Sequence, residues 1–202
     1  MSRGKVIPFP KVAEDRRELS DEALVAACAV GDAVALEAIF DRYCEAVYCF
    51  LDRLASTDER DMEDLVQSVF LEVARAARSF GGRSRVKTWI LGIAVNVARN
   101  HARSESRRRV FLSALRALPE ELSLPPAAAP DEVAERREEL ARVAAALEEL
   151  PRELKEAFLL CEVEGLSGEE AALAAGVKTG TLWRRLHEAR RALRAALEGD
   201  ES

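Results

Sequence analysis

Lys178, Thr181, Arg184 and Arg185 lie within about two helical turns of one another, and these are residue types that grip phosphate or fork onto a base edge. What would aim them is legible on either side. Ser167 and Glu170 stand three apart, the spacing of a capping box in which each side chain satisfies an unpaired backbone N–H, so a helix starts at Gly168. Gly176 follows the alanine-rich run Ala171 to Ala175, where a residue able to take positive φ ends a helix and reverses the chain. Thr179 is expected to cap a second helix, on which Leu182, Leu186, Ala189 and Leu193 recur at helical spacing. Two short helices around a glycine turn, the second carrying arginines off its apolar stripe, have the layout of a DNA-reading helix-turn-helix. A helical hairpin with a merely solvated basic face has the same first half of the pattern.

A second basic stretch lies upstream. From Arg83 to Arg109 there are eight Lys or Arg residues against the single acid Glu105, although the whole chain of 202 residues carries a formal charge of −6. From Asp131 to Glu170 acids dominate. Two basic patches separated by acidic helices point to contacts at two places on an anionic ligand, not to a protein that coats nucleic acid uniformly. Asn96 sits inside an otherwise apolar helical pattern, either as a satisfied buried amide or as a base reader. Trp89, flanked by Ile90 and Ile93, reads as core.

The elements around these residues are helical. Aromatic residues make up only 5% of the chain while alanine and leucine abound, which favours an all-α fold of two small domains. Ser20 can cap a short helix that Gly31 ends, and Leu36, Ile39, Phe40, Tyr43, Val47, Phe50, Leu51 and Leu54 mark a long amphipathic one. Val66, Val69, Phe70 and Val73 lie on a third helix from about Asp61 to Ser79, and Trp89, Ile90, Ile93, Val97 and His101 on a fourth, enough for one bundle. Periodicity then fades from Ser104 to Pro130, apart from a short helix around Phe111 to Leu118, and the run LPPAAAP is stiff and non-helical. The expected organisation is a flexible arm over 1–19, a helical bundle over 20–107, a linker over 108–131 and a helix-turn-helix domain over 132–198, whose earlier helices run Glu132 to Leu150 and Arg152 to Val163.

Catalysis finds no support in the pattern: no nucleophile-base pair, phosphate-cradling glycine loop or metal cluster is legible. Cys28, Cys44, Cys49 and Cys161 form no Cys-x-x-Cys pair and read as small buried hydrophobes, so neither metal nor cofactor is expected. The N-terminus lacks an apolar h-region and no run approaches the roughly 20 apolar residues of a membrane span, which leads to the expectation of a cytoplasmic protein.

The segments DMEDLVQSVFLEVARAARSF, then GGRSRVKTWILGIAVNVARNHARSESRRR, then GLSGEEAA with GTLWRRLHEARRAL, in this order, resemble the bacterial sigma factors of the extracytoplasmic-function group, which have only conserved regions two and four. The resemblance runs from about Leu24 to Leu197, with departures at Ser68, Trp183 and Arg184. It implies that Asp64, Leu65, Gln67 and Phe70 dock on the coiled coil of the largest RNA polymerase subunit. It assigns the loop Phe80 to Lys87 and the following helix, with Arg85, Lys87, Asn96, Arg99, Asn100 and Arg103, to the minus-ten promoter element, where the strand is held single and a base flipped out. Lys178, Thr179, Thr181, Arg184 and Arg185 fall to the minus-thirty-five element. Core RNA polymerase, promoter DNA and an anti-sigma factor are the implied partners. Two other readings of the same residues are a conventional helix-turn-helix regulator that does not enter polymerase, and a helical protein-interaction adaptor without DNA binding.

Overall fold

The computed structural model describes residues 18–55, 57–115 and 142–198, and all regular structure among them is helical. Most of the expected arm, the proline-rich part of the linker and the expected helix start at Glu132 lie outside the described residues. Helices α1 (Asp21–Ala29), α2 (Ala33–Leu54) and α3 (Glu59–Ala76), the last closed by a 3₁₀ turn at Ala77–Ser79, pack with the first half of α4 (Val86–Leu115). The second unit comprises α5 (142–148), α6 (Arg152–Phe158), which runs on into a π turn at Leu159–Val163, α7 (Gly168–Ala175) and α8 (Thr179–Glu198).

Each start has a chemical cause. Ser20 Oγ accepts from the Ala23 N–H at 3.3 Å as its sequence position suggests. Asp32 Oδ1 accepts from Val34 and Ala35 N–H at 3.0 and 3.1 Å, and Asp58 Oδ1 from Asp61 N–H at 2.8 Å, so α2 and α3 have caps of their own. The third helix therefore begins two residues before the expected Asp61. Helix α4 continues to Leu115, past the 107/108 boundary and through the start of the short helix expected at Phe111. Nothing between Ser104 and Leu115 breaks a helix, because proline and glycine are absent there.

Ile39, Phe50, Leu51, Met62, Ile90 and Leu91 are fully buried in the first unit, and Leu159, Leu160, Leu182 and Leu186 in the second. These side chains belong to one continuous buried cluster, so the two units share a core. The seam between them is where α7 lies on α4. Gly92 makes it possible: a Cβ there would sit 3.3 Å from both the Cα and the carbonyl oxygen of Ala174, backbone atoms that cannot swing aside. A second, smaller cluster of Leu150, Ala189 and Leu193 ties α8 to the α5–α6 corner. Among the described residues no helix is long and apolar enough to cross a membrane.

Leucine in place of Gly92 should leave helix content by circular dichroism unchanged while separating the units, seen as a larger radius of gyration in small-angle scattering. An unchanged radius would mean that α7 is not held against α4.

Candidate nucleic-acid interface

The helix-turn-helix forms through local chemistry. Ser167 and Glu170 make both halves of the capping box, Ser167 Oγ accepting from the Glu170 N–H at 3.3 Å and the Glu170 carboxylate from the Ser167 N–H at 3.1 Å. Gly176 takes φ 65°, the left-handed conformation that its place after Ala175 calls for, and its N–H and that of Val177 close the turn on Leu173 and Ala172 carbonyls. One expectation fails by a residue: α8 begins at Thr179, and the Lys178 carbonyl accepts the first intrahelical bond from the Leu182 N–H at 3.0 Å, so Lys178 and not Thr179 stands at the cap. The helix bond, made by main-chain atoms, does not need the threonine hydroxyl.

Leu182, Leu186, Ala189 and Leu193 are buried as a stripe, leaving Lys178, Thr179 and Arg184 exposed and Thr181 half-buried beside them. Arg185 points elsewhere. It is half-buried, lines the cleft between the two units, and its Nη1 is buried with no hydrogen-bond partner among the described residues. Trp183, half exposed, lies across Gly168, where a Cβ would come within 2.3 Å of the indole Cζ2. The capping pattern accounts for Ser167 and Glu170 but not for the glycine between them, whose cause is this long-range contact.

On the first unit, a pocket of about 260 Å³ opens between the Phe80–Ser84 loop and α4. Its walls include Phe80, Gly81, Arg83, Trp89, Ile93 and Asn96. Trp89 is half-buried, with its ring 5.0 Å from that of Phe80 at 48°, so it packs on the core and walls the pocket at once. Asn96 is exposed at the rim and is not a buried amide. Thr88, at the head of the helix that the resemblance assigns to the minus-ten element, is 1% exposed, and its hydroxyl has no partner among the described residues although it lines this pocket. A buried hydroxyl without a partner is costly unless something else supplies one. Aromatic walls, an amide and an unsatisfied hydroxyl around a space below the about 300–1,000 Å³ of a drug-sized site suit a single flat polar ring.

The second unit roofs that pocket with Leu173, Ala174 and Gly176. Its acids also take up the basic residues around it. Arg85 forks onto Glu170 at 2.9 and 3.1 Å, Lys87 Nζ meets Glu164 at 2.9 Å, and Arg99 forks onto Glu156, with Nε to Oε1 at 3.0 Å. Arg152 Nη1 donates to the Ala98 carbonyl at 2.7 Å. Glu156 is only 1% exposed, so Arg99 neutralises a carboxylate removed from water. The bond from Arg85, then those from Ser167, hold the Glu170 carboxyl down to about 2 from its ordinary 4.5. A depressed carboxyl contributes stability that is complete above the ordinary value and lost as pH falls through the folded one. That contact therefore stays charged at neutral pH, and salt, not acid, is the lever on it.

The remaining candidates divide. Arg103 borders the same interdomain cleft as Arg99, while Asn100 lines a groove with Ser68, Leu71 and Glu72 of α3 and accepts from Arg103 Nη1 at 3.5 Å. On α3, Asp64 and Gln67 are exposed, but Leu65 and Phe70 are 3% and 5% exposed and belong to the core. Helical spacing puts Leu65 and Phe70 on the stripe that faces α2 and α4, where bundle packing claims them. Phe70 still shows an edge in an apolar groove of about 300 Å³ with Leu36, Gln67, Leu71 and Phe40, its ring 4.8 Å from that of Phe40. Among the described residues no group of His, Cys, Asp and Glu is arranged to hold a metal ion.

The arrangement has recognisable relatives. Residues 39–108 match the model of Sigma-70 region 2 and residues 140–193 that of Sigma-70, region 4. The chain is 33% identical over 171 residues to the ECF RNA polymerase sigma factor SigE of Mycolicibacterium smegmatis, covering 82% of this chain and 64% of that protein. It is also 33% identical over 177 residues to the ECF RNA polymerase sigma-E factor of Haemophilus influenzae, covering 86% of this chain and 93% of that one. Among solved structures, the sigma factor RpoE of Bartonella quintana, in complex with the anti-sigma factor NepR, superposes with a TM-score of 0.59 at 25% identity, over 82% of this chain and 98% of that one. With a region-two bundle, a region-four helix-turn-helix and full-length relatives of this kind, the chain belongs to the extracytoplasmic-function sigma factors.

Proposed function

We propose that this protein is a dissociable specificity subunit of RNA polymerase that recruits the core enzyme to promoters and opens the minus-ten element. The observation that carries the reading is the pairing, in one chain, of an aromatic-walled pocket set among basic residues with a helix-turn-helix. Opening duplex without nucleotide hydrolysis requires that contacts to the exposed strand offset the lost stacking, and a flipped base held between rings with polar groups at its edge provides such contacts. In this reading Trp89 and Phe80 flank the base, Thr88 and Asn96 face its edge, and Arg85, Lys87, Arg99 and Arg103 hold backbone phosphates. Asn100 is placed on the flank toward α3 and is a weaker candidate for the same strand. Lys178, Thr179, Thr181 and Arg184 face outward at the start of α8 and read the minus-thirty-five element from the major groove. Arg185, turned toward the cleft, joins them only if the two units part.

Asp64 and Gln67, beside the apolar groove of Phe40, Phe70 and Leu71, form the surface for a polymerase helix: an exposed polar rim next to apolar anchors is how amphipathic helices are captured. The protein acts by binding and not as an enzyme, within the cytoplasm where polymerase works, and an anti-sigma factor is its further partner. The closed packing described above is incompatible with a bound promoter strand, because Glu156, Glu164 and Glu170 occupy the cations that phosphates need and α7 covers the pocket. Promoter engagement therefore includes separation of the units, and apparent affinity is reduced by the fraction that is closed.

Run-off transcription with purified core polymerase on a promoter library should give new, sequence-specific transcripts only when this protein is added; none, with salt-sensitive DNA binding retained, would favour a conventional regulator. Reversing Asp64 to Lys together with Gln67→Ala should abolish core binding in a pull-down while the melting temperature holds. Arg184→Ala should weaken recruitment through the minus-thirty-five element and spare core binding. Glu164→Gln with Glu170→Gln should raise affinity for a single-stranded minus-ten oligonucleotide roughly tenfold by anisotropy, because the open fraction rises; an unchanged affinity would show that closure does not compete with the strand.

A further inference from the structure

The cleft of about 450 Å³ between the two units is lined by four arginines from three helices, Arg99 and Arg103 of α4, Arg152 of α6 and Arg185 of α8, against two carboxylates, Glu153 and Glu156. That leaves an excess of two positive charges around a cleft that opens to solvent, where Arg103 is exposed. Like charges brought together repel, and an anion bound between them lowers that cost. Two of the four are firmly fixed, and Arg103 Nη1 donates to Asn100 Oδ1 at 3.5 Å. Arg99 is held by its fork on buried Glu156, and Arg152 by its bond to the Ala98 carbonyl. Arg185 has a buried Nη1 with no partner among the described residues. A guanidinium nitrogen withdrawn from water and left unbonded is a strong donor awaiting an acceptor.

We propose that this cleft binds a small anion of two or more linked phosphates, free or as the phosphate chain of a nucleotide, and that the bound anion holds the two units closed. Guanidinium forks match phosphate oxygens in geometry as well as charge, and several arginines around one anion are favoured over lysines for that reason. The charge excess fits a polyanion better than a monocarboxylate. Among the described residues no aromatic side chain lines the cleft, so recognition rests on the phosphates and a nucleoside adds nothing. Since Arg99 and Arg103 come from the first unit and Arg152 and Arg185 from the second, the anion bridges both and favours the closed state by its differential affinity for it. The inference rests on the closed packing and not on promoter activity, so it fails or stands separately from the transcription experiment.

The test is isothermal titration of pyrophosphate into the full chain at constant ionic strength, with ADP as a second arm. Saturable binding below about millimolar concentration is expected, with ADP no tighter than pyrophosphate. Arg152→Gln should weaken it at least about tenfold. Because Arg152 also bonds across the seam, Glu153→Gln provides the independent check: it removes an exposed opposing charge and should tighten binding severalfold without loss of melting temperature. No binding at millimolar pyrophosphate, equal affinity in wild type and Glu153→Gln, or ADP binding tenfold tighter than pyrophosphate would each overturn the proposal.

Discussion

Glu156 is the constraint around which the closed molecule is organised. A carboxylate on α6 taken almost wholly out of water must be neutralised or it will not stay there, and the group that neutralises it is Arg99, on the other unit. The cost of desolvating both is recovered only when the fork is well made, so the pair does little to raise total stability but strongly selects the one relative placement in which it forms. Loss of Arg99 leaves the Glu156 carboxylate buried and unpaired, a penalty on the order of 3 kcal/mol. The contact of α7 on Gly92, the pairs Arg85–Glu170 and Lys87–Glu164 and the roof over the Thr88 pocket are all properties of that placement.

The same residues thus have two sets of partners. Cations suited to phosphate are held by carboxylates of the chain itself, and a pocket suited to a base is covered by small apolar side chains. Surface pairs such as Arg85 with Glu170 are individually weak in water, whereas a phosphate strand offers many charges at once and releases counterions. A duplex opened at this surface can therefore displace them in series. The energetic balance lies between a seam with one buried pair and a polyanion, and ionic strength weakens both sides of it.

How much of this was legible depends on the distance over which each cause acts. The capping box at Ser167 and Glu170, the left-handed Gly176 and the stripe from Leu182 to Leu193 arise from groups three or four residues apart and were readable as such. Lys178 displaced Thr179 at the cap because main-chain bonds decide where a helix starts when no side chain competes. Leu65 and Phe70 carry an interface role only through the resemblance, while their helical spacing already gives them to the bundle core, where α2 and α4 pack on them. Thr88 belongs to the motif that opens the minus-ten helix, but only packing buries its hydroxyl without a partner among the described residues.

By itself the chain's sequence determined its all-helical class, most helix starts, two basic faces and the family pattern of two regions in order, because helical periodicity and capping are local and a few residue types suffice to impose them. Only the tertiary structure decided that Arg99 meets Glu156 across 57 positions and Arg85 meets Glu170 across 85, and that Arg185 turns away from its neighbours into a cleft of arginines. No spacing rule encodes those meetings. They follow from packing two apolar faces into one core, which brings together charges whose separation along the chain carries no information about their separation in space.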